Sequence, residues 1–273
     1  MNIQLLISDL DGTLLRSDST LSEYTRSVLE KAARRGIKIA VATGRAYAAM
    51  PACVSDFPCF DYAVTSNGAA VYEMHTHTLL RHHVLAQRSA EALIAYALEH
   101  HLGLELICGG KAYGERYYFE HPKHFHFNQR SWDYLNATRT KIENLDDFLK
   151  ENITALESID FVLPSCDARE DIEKIFCKDT SLYITSSYPT IIEFSAKGCG
   201  KANALRFLME QEHIAPAQVI AFGNADNDVE MMRLARYGVA TANAPAEVRA
   251  QCASTCESCD DDGVAQFLES ILF

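Results

Sequence analysis

Nowhere does this sequence carry about 18 consecutive apolar residues, which rules out a helical membrane span. Its first residues, Met1-Asn2-Ile3-Gln4-Leu5-Leu6-Ile7-Ser8-Asp9, have no basic start, and the apolar stretch runs into an aspartate. Both features argue against a signal peptide. Positive charge is scarce as well: 25 Lys and Arg stand against 37 Asp and Glu, a net charge of −12. A surface of that sign repels nucleic acid and anionic membranes at long range, so neither is an expected partner. An anionic ligand would have to be held by local cations. Internal repeats, low-complexity tracts and long linkers are missing too. What remains is an ordinary globular composition, 48% hydrophobic and 23% charged, over 273 residues. That length suits two domains, or one core carrying an insertion. Nine cysteines without a signal peptide point to a reducing cytoplasm and thiols, and an odd count cannot pair fully within a monomer.

The order of elements follows from hydrophobic patterning. Ile3 to Ser8 is a nearly continuous apolar run, as in a strand buried on both faces. Ser22 to Arg35 reads as a helix that Ser22 caps and Gly36 ends. Ile37 to Ala42 is a second buried strand, Arg45 to Ser55 a helix, and Tyr62 to Ser66 a third strand. Ala69 to Glu73 turns back as a hairpin. From Val84 to Pro189 the composition becomes aromatic and histidine-rich, with helices expected at Ser89–Glu99 and Asp167–Phe176 and strands at Ile159–Leu163 and Leu182–Thr185. The alternation then resumes: strand Ile191–Ser195, helix Lys201–Glu212, strand Val219–Phe222, helix Asp226–Ala235, strand Gly238–Ala240 and helix Gly263–Leu272. Alternating strands and helices imply an α/β fold with a doubly wound parallel sheet. The expected organisation is a Rossmann-like core of residues 1–83 and 190–273, with an α+β domain of residues 84–189 inserted in it.

Ligands of such a sheet sit beyond the carboxyl ends of the strands, and four polar clusters follow four of the expected strands. They are Asp9-Leu10-Asp11-Gly12-Thr13, Thr43-Gly44-Arg45, Lys201 with Lys197 just before it, and Asn224-Ala225-Asp226-Asn227-Asp228. Two carboxylates two residues apart on extended chain point the same way, and beside a buried strand they call for a cation or a proton. Gly12 lets the chain turn and bring amides to an anion. Carboxylate oxygens suit Mg2+, and an aspartate so held is a nucleophile toward phosphorus. Taken alone, Asp-Leu-Asp-Gly is also the pattern of a plain turn, Thr43 of a strand-end cap, and Lys201 of a solvated helix start.

Together the clusters resemble the four motifs of the haloacid dehalogenase superfamily, in order and in spacing. Asp9-Leu10-Asp11-Gly12-Thr13-Leu14-Leu15 is similar to the first, Thr43-Gly44-Arg45 to the second, Lys201 to the third, and Gly223 to Asp228 to the fourth. Ser66-Asn67-Gly68-Ala69, Ile192-Glu193, Gly238-Val239-Ala240, Asn243-Ala244-Pro245 and Asp262-Gly263-Val264-Ala265 resemble one branch, the Cof-type phosphatases. The likeness covers about residues 1–73 and 190–273, and the middle fits by length and place as a C2-type cap. It implies a phosphoric monoester hydrolase with an aspartyl-phosphate on Asp9 and Asp11 as acid and base. Thr43, Gly44, Lys201 and Asn227 would bind the phosphoryl group. Mg2+ would be held by Asp9, the Asp11 carbonyl, and Asn224 or Asp228. The cap would close over the site and choose a small phosphorylated metabolite, a sugar phosphate or a phosphorylated cofactor precursor. A cytoplasmic monomer or homodimer is expected. A sugar-phosphate mutase and a catalytically weak phospho-ligand-binding protein are the alternatives.

One position departs from the pattern. The fourth motif of the family starts Gly-Asp, and here the acid is Asn224, which offers an oxygen but no charge, so weaker magnesium binding is expected. Two further groupings invite a metal reading. Cys252, Cys256 and Cys259 have a cluster-binding spacing, but too little chain follows them, and thiols in a surface segment are expected instead. His121, His124 and His126, His75 with His77, and His82 with His83 are read as polar loop or cap-face positions.

Overall fold

The computed structural model describes residues 2–273. Fourteen strands are formed: β1 (Leu5–Ser8), β2 (Lys38–Ala42), β3 (Tyr62–Thr65), β4 (Ala70–Glu73), β5 (Thr78–His82), β6 (Gly103–Cys108), β7 (Lys111–Gly114), β8 (Arg139–Lys141), β9 (Leu156–Val162), β10 (Leu182–Thr185), β11 (Ile191–Ala196), β12 (Val219–Gly223), β13 (Tyr237–Thr241) and β14 (Ser254–Cys256). The described chain divides into two compact units, one of residues 2–44, 50–81 and 200–273, the other of residues 45–49 and 82–199.

The first unit is built on an eight-stranded sheet in the order β14-β13-β12-β1-β2-β3-β4-β5. The pairs from β14 to β3 are parallel, and β4 returns antiparallel to β3. All four residues of β1 are buried, as its unbroken apolar run requires of a central parallel strand. One sheet face packs Leu5, Ile7, Ala40, Ala42, Val219 and Ala221 against Leu205, Leu208, Met231 and Met232 of the helices Lys201–Gln211 and Asp226–Leu234. On the other, Phe222 meets Phe267 of the helix Gly263–Leu272, ring centroids 5.7 Å apart. The helix Glu23–Arg34 starts as its sequence dictates: the Thr25 amide donates to Ser22 Oγ at 3.0 Å. It ends at Gly36, whose φ of +78° admits the left-handed turn.

Strand order decides where a ligand can sit. The chain runs from β1 outward through β2 and β3, then returns to place β12 on the other side of β1. The sheet's order therefore reverses between β1 and β12, and the loops leaving those two strands diverge there and leave a crevice. Asp9 follows β1, and Asn224 follows β12.

The second unit holds a six-stranded sheet, β10-β11-β9-β6-β7-β8, antiparallel except for the β7–β8 pair. Leu104, Leu106, Ile159, Phe161, Ile192 and Phe194 pack with Leu93, Ile94 and Ala97 of the helix Gln87–Glu99 and with Ile172 and Phe176 of the helix Arg169–Phe176. On the opposite face Glu105, Asp160 and Glu193 lie at directly paired positions of β6, β9 and β11, all three buried. Arg139 Nη2 reaches Glu105 at 2.7 Å, and Ser158 Oγ donates to Asp160 at 2.6 Å.

Two expectations change here. The strand Ile191–Ser195, read from the sequence as part of the core, is β11, which pairs with β9 and β10 in the second sheet. Its alternation of Ile192 and Phe194 with Glu193 and Ser195 is that of a strand with one apolar face, whereas a buried parallel strand would be apolar throughout. The stretch Arg45–Ser55 is not one helix. It is a 3-10 turn at Tyr47–Ala49 and a short helix at Ala52–Ser55, separated at Pro51, which has no amide to donate and disfavours a helical residue before it. Ala46 and Ala49 instead pack on Ile107 and Ala112, and the Ala48 amide donates to Gly110 O at 2.8 Å.

Candidate active site

The first polar loop leaves β1 at Asp9, whose amide donates to Phe222 O of β12 at 3.0 Å. Thr13 and Leu15 then donate to Leu10 O, which curls the chain into a tight turn. Gly12 takes φ +77°, and a Cβ on it would stand 2.5 Å from Asn224 Nδ2, so no other residue fits without displacing that side chain. Thr241 Oγ1 at 3.3 Å and Asn243 Nδ2 at 2.8 Å donate to Gly12 O. The turn separates the two aspartates that extended chain would have aligned: Asp9 is buried and Asp11 is exposed.

Lys201 opens the helix Lys201–Gln211 and is 1% exposed. Its Nζ lies 2.7 Å from Asp9 Oδ1 and 2.7 Å from Asp228 Oδ1. Burial opposes the ammonium charge, but Asp228 and Asp9 together hold its pKa above the ordinary lysine value. Asp9 moves the other way from a simple ion pair. Burial pushes its carboxyl up to about 7 against the pull of Lys201, and Asp228 adds to the rise. Two carboxylates share one lysine, so a divalent cation beside Asp9 would restore its charge. Lys197, the other lysine of this cluster, is exposed and belongs to the second unit.

Asp228 is fully buried, and its two oxygens are engaged. Oδ1 receives Lys201, and Oδ2 accepts from the amides of Asn224 at 2.9 Å and Ala225 at 3.0 Å. Asn224 is half-buried, with Oδ1 accepting from Thr13 Oγ1 at 3.2 Å. Asn227 donates from Nδ2 to Asn67 Oδ1 at 3.0 Å, while its own Oδ1 is buried with no hydrogen-bond partner. Thr43 is buried at the end of β2; its amide donates to Val64 O at 2.8 Å and its carbonyl accepts from the Asn67 amide at 3.1 Å.

All eight residues singled out from the sequence thus lie on loops of the first unit, at the carboxyl ends of its parallel strands or at the helix start beside them. Asp9, Lys201, Asp228, Asn224 and Thr13 form one bonded chain, and Thr43 and Asn227 meet through Asn67. Arg45 does not join them: its guanidinium lies 4.9 Å from the Tyr134 ring in the second unit. Asn67 and Asn243 carried weight in the sequence only as flanking residues. The available signal was their type, an Asn-Gly pair and an Asn-x-Pro after two further buried strands.

The donor set tests a metal. Asp9 offers a carboxylate, Asn224 an amide oxygen and Asp11 a carbonyl, and the buried Asn227 Oδ1 is an acceptor without a donor. These are hard oxygen ligands with little charge, which suits Mg2+ retaining several waters. Among the described residues no group of three or more His, Cys, Asp or Glu side chains is arranged to hold a metal ion. Cys256 and Cys259 are buried, not on the surface as expected from the sequence, because β14 adds to the sheet edge and turns Cys256 inward. Burial pushes the Cys256 thiol up to about 12. His121 stacks on Tyr117 with centroids 4.0 Å apart.

Comparison with known proteins places the chain in a family. A family model described as haloacid dehalogenase-like hydrolase matches residues 6–268. The chain is similar to the 5-amino-6-(5-phospho-D-ribitylamino)uracil phosphatase YcsE of Bacillus subtilis, 24% identical over 97% of this chain and 94% of that protein. It is also similar to the pyridoxal phosphate phosphatase YbhA of Escherichia coli, 25% identical over the full length of both. Among solved structures, a haloacid dehalogenase-like hydrolase from B. subtilis superposes with a TM-score of 0.87 at 22% identity, over 99% of this chain and all of that one.

Proposed function

Because this chain belongs to the haloacid dehalogenase-like hydrolases, we propose that it is a Mg2+-dependent phosphatase of a small phosphorylated metabolite, working through an aspartyl-phosphate on Asp9. The observation that carries this reading is the buried Lys201, held at 2.7 Å from both Asp9 and Asp228. A lysine enclosed this way neutralises charge at a fixed point and leaves Asp9 Oδ2 to act. YcsE and YbhA, whose names state small phosphate esters, support the substrate class.

Asp9 Oδ2 attacks phosphorus in line with the ester oxygen, and the P–O ester bond breaks. Asp11, exposed at the turn, protonates the leaving oxygen. It then takes a proton from a water whose oxygen attacks the phosphoryl group, returning the Asp9 carboxylate and inorganic phosphate. Thr43, Gly44 and Asn227 orient the phosphoryl oxygens, and Lys201 offsets their charge. Mg2+ held by Asp9, Asn224 and the Asp11 carbonyl would supply further charge neutralisation and in-line alignment. Asp228 has another part: with Lys201 on Oδ1 and two amides on Oδ2, it fixes the lysine and the Asn224 loop. A cytoplasmic location and a cap role for the second unit belong to the same reading.

The test is release of inorganic phosphate from an aryl phosphate and from a panel of phosphorylated metabolites with Mg2+. Turnover is expected in the wild type and lost in Asp9→Asn. An isomerised sugar phosphate in place of free phosphate would make the protein a mutase. Equal turnover in Asp9→Asn would end the reading.

A further inference from the structure

One buried residue outside the assigned set bonds to three of the polar clusters at once, twice through its main chain and once through its side chain. The Asn67 amide donates to Thr43 O at 3.1 Å, its carbonyl accepts from the Gly200 amide at 2.7 Å, and its Oδ1 accepts from Asn227 Nδ2 at 3.0 Å. Those three partners belong to the loop after β2, the start of the helix that carries Lys201, and the first turn of the helix Asp226–Leu234 that follows β12. Asn67 is 2% exposed and left-handed, with φ 51° and ψ 38°. Asparagine is among the few residues with a side chain that adopt this conformation readily. Its neighbour Gly68 is held just as closely: a Cβ there would stand 2.5 Å from Gly200 O.

We propose that Asn67 is a positioning residue for the phosphoryl-binding groups, an inference that rests on the phosphatase reading of this site. Its main chain joins the loop after β2 to the helix start, holding Thr43 and Lys201 in register across the sheet. Its side chain sets Asn227. Because Asn227 Oδ1 has no hydrogen-bond partner, the Nδ2 bond to Asn67 decides which way that amide faces. A turned amide would set Asn227 Oδ1 against Asn67 Oδ1, acceptor on acceptor, so this bond fixes which atom of Asn227 the phosphoryl group meets.

Two variants separate this role from a structural one. Asn67→Gly keeps the left-handed backbone and both main-chain bonds but removes Oδ1. Asn67→Ala also removes Oδ1 and in addition strains the backbone. The expected result is the same loss of kcat per folded molecule in both, about 10- to 100-fold, with KM little changed, while Tm falls in Asn67→Ala alone. A double-mutant cycle with Asn227→Ala should be strongly non-additive in kcat. Wild-type kcat in folded Asn67→Gly, a loss that follows Tm across the two variants, or an additive cycle would overturn the inference. Asp9→Asn in the same assay keeps the two ideas apart. If it is dead while Asn67→Gly is fully active, only the role of Asn67 falls; if it is active, the phosphatase reading falls.

Discussion

At residue scale, the site is organised around a shortage of charge. Asp228 has both oxygens taken, by Lys201 and by the amides of Asn224 and Ala225, and the Asp11 side chain is exposed. On the proposed reading Asp9 is the carboxylate that meets the cation, and Asn224 is neutral where the resemblance implies an aspartate. Ligand charge helps set affinity for a hard cation, so Asn224→Asp should lower the Mg2+ concentration needed for half-maximal activity and for half-maximal thermal stabilisation. An unchanged titration by both measures would remove Asn224 from the metal's ligands. Asp9, Asp11 and Lys201 were legible in the sequence because their chemistry is local: an acid or a lysine at a strand end or helix start. Asn67 was not, since its partners lie at positions 43, 200 and 227, and no spacing reports such contacts.

At the scale of elements, the acidic row across β6, β9 and β11 is the least ordinary feature of the second sheet. Burial first, then Glu193 and Glu105, push the Asp160 carboxyl well above the ordinary carboxylate range, against the Ser158 hydrogen bond and the Arg139 charge. A carboxyl raised in the folded state binds its proton more tightly there than in the unfolded chain. Stability therefore falls as pH rises above 3.8, where the unfolded carboxyl ionises and the folded one does not. Asp160→Asn removes that penalty, so its Tm relative to wild type should improve as the pH rises above 3.8. A difference independent of pH would show that Asp160 is ionised at little cost. The row itself is visible only after strand pairing, because Glu105, Asp160 and Glu193 are neighbours by register alone. Elements with a clear local signal were legible, among them β1 and the Ser22-capped helix. The stretch Arg45–Ser55 is not one helix because Pro51 breaks it, and Ala46 and Ala49 pack on Ile107 and Ala112.

At the scale of the molecule, composition and structure meet on the cysteines. No disulfide joins any of the nine; Cys166 and Cys177 are exposed, whereas Cys108, Cys199, Cys256 and Cys259 are buried. Reactivity follows thiolate character and access. A thiol reagent should therefore modify Cys166 and Cys177 first in the native protein and reach all nine only on denaturation. Rapid native modification of Cys256 would contradict the docking of β14 on β13. Among the described residues no helix is long and apolar enough to cross a membrane, in keeping with the absence of long apolar runs. By itself the sequence determined the α/β rhythm, the four polar clusters and the chemical type of the candidate nucleophile, because these depend on local pattern and on which residues follow which strands. Tertiary structure alone decided that β11 joins the second sheet, that Asp228 serves Lys201 and two amides, and that Asn67 ties three polar clusters together. Pairing, burial and hydrogen bonding between distant segments follow from how the chain closes on itself, which no local pattern carries.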